Sequence, residues 1–193
     1  MRRDTRLTTK FNSSFLSCEK DIETILRKLF IESKPYSDIL KRLLVINTKD
    51  CLTNESEIVT NKLNETNLAK LIQEGYIKLA PKLTMGEHEE VKAYIIISCD
   101  NYTVNDSNSY FRDCTVSFDI ICHTDYWDIG DYRLRPLKIA GYIDGILNDA
   151  RLSGIGVFNF MGCNELILNE DLAGYTLTYR AIHGNDDKLP GEE

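Results

Sequence analysis

The run from Tyr110 to Arg180 constrains the fold more than any other part of the chain. Cys114, Val116, Phe118, Ile120 and Cys122 alternate with Thr115, Ser117, Asp119, Ile121 and His123. Period two, held for about five repeats, predicts a half-buried strand. An amphipathic helix is predicted over residues 134–148. Pro136 fits its first turn, and Leu137, Ile139, Ala140, Ile143, Ile146 and Leu147 form the apolar face. Gly141 and Gly145 each cost this helix about 1 kcal/mol relative to alanine; a close backbone approach to a sheet would account for them. Gly154 and Gly156 open a strand through Phe158 and Phe160. An interruption at Gly162 reads as a bulge, Glu165 to Asn169 continue the strand, and residues 169–174 turn the chain. Tyr175, Leu177 and Tyr179 then alternate with Thr176, Thr178 and Arg180 in a last strand.

Upstream, residues 1–17 form a polar arm that carries Arg2, Arg3, Arg6 and Lys10, read as a solvated arm that is flexible or orders on assembly. Ser17 is placed to cap a helix from Cys18, whose apolar stripe is Ile22, Ile25, Leu26, Leu29 and Phe30 and which ends near Pro35. Ser37 is read as the cap of a second helix carrying Ile39, Leu40, Leu43 and Leu44. Neither stripe can be buried alone, so the pair must dock on a sheet or a neighbour. Residues 47–67 read mostly as loop, with a short strand at Ile58 to Thr60, and Leu68 to Gln73 as a helical turn. Tyr76 to Pro81 reads as a strand stopped by proline and Val91 to Cys99 as a central strand. Asp100 to Asn108 reads as a turn or hairpin tip. The expected class is α+β: a mostly antiparallel sheet, helices packed on one face, and an N-terminal helical pair. One domain over residues 18–183 follows the arm and precedes a polar tail at 184–193.

Composition and spacing exclude several functions. A net charge of −7 with dispersed Lys and Arg opposes sequence-specific nucleic-acid binding, which needs a clustered basic surface. No apolar run approaches the roughly 20 residues of a membrane span, and the N-terminus lacks the apolar segment of a signal peptide. The six cysteines outline no disulfide framework and point to a reducing, intracellular place of folding. Cys114 and Cys122 share a strand face but sit about 26 Å apart when extended. With no Cys-x-x-Cys and no paired histidines, no metal ligands are assigned. Ser153-Gly154-Ile155-Gly156 lacks the frame of a nucleophile elbow, and its glycines follow a helix and open a strand, the wrong polarity for a phosphate cradle. No catalytic residue and no cofactor are assigned. Asp119, Asp125 and Asp128 keep a metal-dependent nuclease open as the alternative from another class, and the cluster Glu87, His88, Glu89 and Glu90 reads as a loop rim.

Tyr126, Trp127 and Tyr132 share one loop with Arg133 and Arg135. Aromatics with arginine are the residue types enriched at interface hot spots, so these five are the candidate subunit or partner interface. Trp127 over the core is the equal alternative.

The block "RLRPLKIAGYIDGILN" followed by "GIGVFNFMGCNELILNEDLAGYTLTYRAIHG" resembles the tail-terminator and tail-completion (neck) proteins of long-tailed bacteriophages, over roughly residues 79–183. The resemblance implies a small α/β fold that assembles as a ring, commonly six-fold. Such a ring caps the tail tube, meets the head connector, and lets the genome pass its lumen. It implies a structural virion protein with no catalytic residues, assembled in the host cytoplasm, whose partners are copies of itself, tail-tube proteins and connector proteins. Another neck or connector component is the near alternative. A head-to-tail ring needs two unlike surfaces per subunit; an exposed edge strand and the Tyr126–Tyr132 loop are the candidates.

Overall fold

The computed structural model describes residues 18–79, 92–107, 111–152 and 154–183. Helices α1 (Cys18–Arg27), α2 (Tyr36–Val45), α3 (Glu57–Glu65) and α4 (Leu68–Gln73) come first. Strands β1 (Ile77–Lys78), β2 (Ala93–Val104) and β3 (Arg112–His123) follow, then α5 (Arg135–Leu147). The small hairpin β4 (Arg151–Leu152) and β5 (Gly156–Val157) leads into β6 (Asn159–Ile167) and β7 (Leu172–His183). The main sheet runs in the order β1-β2-β3-β7-β6. Only the short β1 is parallel to its neighbour; the other pairings are antiparallel. The class is α+β.

The alternation in β3 organises the core. Cys114, Val116, Phe118, Ile120 and Cys122 are all buried, beside Ala93, Ile95 and Ile97 of β2 and Leu177, Tyr179 and Ala181 of β7. The helices bury their stripes on this same face: Ile25 and Leu26 of α1, Leu40, Leu43 and Leu44 of α2, and Ile139, Ile143 and Leu147 of α5. α1 continues into a π-helical turn, Lys28–Glu32, that buries Leu29. Tyr179 anchors the middle: its ring meets Phe118 and Phe158 edge-on, each at 5.9 Å between centroids. Its hydroxyl donates to Asp144 of α5 at 2.9 Å. The opposite face carries a smaller apolar cluster, Tyr94, Ile96, Ile121 and Leu172 with Leu166 against it. Further along that face the register aligns polar residues: Ser98, Ser117 and Thr178, then Asp119, Thr176 and Asn164. Such a face is what an antiparallel sheet can leave to solvent.

Several local readings change. Residues 58–60 lie in α3, not in a strand: Ser56 caps the helix by accepting from the Val59 amide, and Val59 is buried with Leu63 packed one turn on. The β-branched triplet imitates a strand, but the cap and the four-residue spacing decide for helix. Ser37 is not a cap; it is buried inside α2, which starts at Tyr36 behind Pro35. Gly141 and Gly145 do not approach the sheet. Both are exposed, and a Cβ at either would meet nothing within 4 Å. The glycine that permits close approach is Gly174, where a Cβ would lie 1.7 Å from the Ile120 carbonyl oxygen. It sits inside β7, opposite Ile121, and not in a turn. Gly156 pairs with β4 instead of opening β6, while the bulge appears between Phe160 and Gly162. β2 runs on to Val104 through an irregularity between Asp100 and Thr103. The arm, the tail, Ser17, Pro81, Glu87 to Glu90, residues 108–110 and Ser153 lie outside the described residues.

Candidate functional site

Between β3 and α5 the chain makes a 3₁₀ turn, Thr124–Tyr126, and then a tight hairpin. Asp128 bridges Leu134, the Ile129 amide donates to the Arg133 carbonyl at 3.0 Å, and the Arg133 amide donates to Gly130. At the tip, Gly130, Asp131 and Tyr132 all have positive φ, +80°, +52° and +58°. That region suits glycine and tolerates aspartate but is unfavourable for an aromatic residue. Two local interactions hold it. The Asp128 carboxylate accepts from the Gly130 amide at 2.9 Å, which holds its pKa below the ordinary carboxylate value, helped by Lys49 at 3.5 Å. Arg133 pairs with Asp131 and donates from Nε to the Gly130 carbonyl. The result projects Tyr132 completely into solvent, at 106% of its reference exposure.

The five loop residues therefore separate. Tyr132 is presented outward, Arg133 braces the tip, and Tyr126 is half-buried. Trp127 does two things: it packs partly against the core, with its indole N–H donating to the Cys122 carbonyl at 3.1 Å, and its ring lies 6.3 Å from Tyr175. Arg135 belongs elsewhere. It is fully buried and donates to the carbonyls of Tyr126 (2.9 Å), Leu43 (2.6 Å), Ile46 (2.9 Å) and Thr48 (2.8 Å). Its guanidinium is used inside the chain, tying the end of α2 to the start of α5, and has no surface to offer a partner.

The carboxylates of the nuclease alternative do not converge. Asp119 accepts from the Thr176 hydroxyl at 2.6 Å on the polar sheet face, Asp125 lies 3.7 Å from His123, and Asp128 braces the hairpin. Among the described residues no three His, Cys, Asp or Glu side chains are grouped so that they could hold a metal ion. Among the described residues no helix is long and apolar enough to cross a membrane.

A second surface lies at the far edge of the sheet. β6 has β7 on one side and no described strand on the other. Phe160, Met161, Ile167 and the following Leu168 are 45%, 61%, 75% and 43% exposed. The sequence gives little sign of this, because apolar residues here do not alternate and read like buried ones.

The YomW family model matches residues 37–181, more than half of the chain. The chain belongs to the YomW family. In this YomW-family chain the matched stretch begins in α2 and ends in β7, so it takes in the main sheet except the last two residues of β7, and the loop hairpin. No curated relative matches. One solved chain, from a structure described as "Virion of native gene transfer agent (GTA) particle", is similar at 13% identity with a TM-score of 0.36, covering 60% of this chain and 82% of that one.

Proposed function

We propose that this protein is a structural virion protein of the phage neck, of the tail-terminator type. Copies form a head-to-tail ring that caps the tail tube and joins it to the head connector. The observation that carries this reading is the open β6 edge with its row of exposed apolar side chains. Solvated edges are normally blunted by charge, proline or cover, so an apolar one fits a surface that is covered in an assembly. The Tyr132 hairpin, on a different element, is the second, unlike surface that docking on tail and connector proteins requires. The pattern resemblance of α5 and the strands after it to tail terminators supports the same reading. The mechanism is capping: the ring's outer face no longer matches a tube subunit, so growth stops without turnover.

The test is a charge on the edge. Ile167→Lys, at a position three-quarters exposed in the single chain, should leave the thermal midpoint within a few degrees while lowering the mass by light scattering. An unchanged mass would count against the edge as a subunit contact.

A further inference from the structure

β6 is open in two senses. Its outward N–H and C=O groups have no strand partner among the described residues. Its helix-side residues Phe160, Cys163, Glu165 and Ile167, opposite Tyr179, Leu177, Tyr175 and Ala173, also stay exposed, while α5 lies over β3 and β7. Such an edge fits an added strand with one mostly apolar face and one polar face.

The chain contains such a segment. In residues 6–15, Leu7, Thr9, Phe11, Ser13 and Phe15 alternate with Arg6, Thr8, Lys10, Asn12 and Ser14, with no glycine or proline to break the ladder. Charge agrees. Residues 1–17 hold four basic side chains against Asp4, a net +3 in a chain of −7, so the rest carries −10. Glu170 and Asp171 are exposed on the turn after β6, while Glu165 on the helix-side face falls beside the polar Thr9 or Ser13 of such a strand.

We infer that residues 6–15 of one copy add as a strand along β6 of the next copy, seating Leu7, Phe11 and Phe15 beside Phe160, Cys163 and Ile167. The donor is taken as a second copy, which the assembly reading above requires. Arm and edge are unlike surfaces, so the contact is head-to-tail and repeats into a ring or filament. This rests on the assembly reading above and names its contact.

The native Cys163 allows a test on the full chain. Leu7→Cys, Phe11→Cys and Phe15→Cys are made singly, mildly oxidised and run on non-reducing gels, with the same fractions imaged by negative stain. The expected result is a covalent ladder from dimer upward that disappears in a Cys163→Ser background. It should be several-fold weaker for Thr8→Cys, Lys10→Cys and Asn12→Cys on the other face. Three results would overturn the inference: no adduct with Cys163, equal adducts from both faces, or closure within one chain. Closed rings without the Cys163 adduct would remove the arm contact and leave the ring; monomer at every concentration would remove both.

Discussion

Arg135 shows how one side chain can fix a site without belonging to its surface. It occupies the first turn of α5, where the positive end of the helix dipole disfavours a cation. The gain comes from four carbonyls, three of them at or just past the C-terminal end of α2, where backbone acceptors lack helical partners. A planar fork of donors can serve diverging carbonyls; a lysine ammonium cannot. Arg135→Lys should therefore cost about 2 kcal/mol or more, read from the urea midpoint, whereas a surface arginine would lose less than about 0.5 kcal/mol. That adverse helix position was the signal in the sequence; next to three aromatics it read instead as an interface arginine. Asp113 contributes to the pH dependence. Asn105 donates to it at 2.7 Å and Arg180 pairs with it, and the Asn105 bond first, then Arg180, hold its carboxyl below the ordinary value. A depressed folded pKa adds stability above the unfolded value of about 3.9, lost as pH falls through the folded value. Asp113→Asn should lower the thermal midpoint near neutral pH and converge with the parent once the pH falls below the lowered folded value. A constant offset across that range would contradict the assignment.

At the scale of elements, regular period was legible and backbone proximity was not. β3, α5 and β7 follow from alternation and from the apolar stripe, because burial on one face imposes those periods. Ile58 to Thr60 read as a short strand because a β-branched triplet imitates one, although a Ser56 cap and a Val59–Leu63 spacing are also written there. The glycines were misassigned because a sequence records the missing Cβ but not what lies beside it. The structure separates the two cases, and a pair of variants checks the separation. Gly174→Ala would drive a methyl into the Ile120 carbonyl, so the central pairing of β3 with β7 must shift, at a cost of about 3 kcal/mol or more. Gly141→Ala and Gly145→Ala enter open space in an exposed helix, and each should stabilise the single chain by about 0.5–1 kcal/mol. Denaturant midpoints of the three variants should move in these opposite directions; a destabilised Gly141→Ala would mean that α5 lies closer to its surroundings than described.

At the scale of the whole molecule, the helices crowd one face of the sheet, β6 has no described strand at its outer edge and exposes Phe160, Met161 and Ile167 there, and a tyrosine points outward at the β3–α5 hairpin. An edge strand with exposed apolar side chains is fitted to be completed by another chain. The −7 charge opposes promiscuous nucleic-acid binding. The central claim is self-assembly into a closed ring. Light-scattering mass across a concentration series, with negative-stain images of the same fractions, tests it most directly. The account predicts particles of one fixed multiple of the 193-residue chain, seen end-on as closed rings with a lumen; a compact monomer at every concentration would contradict it.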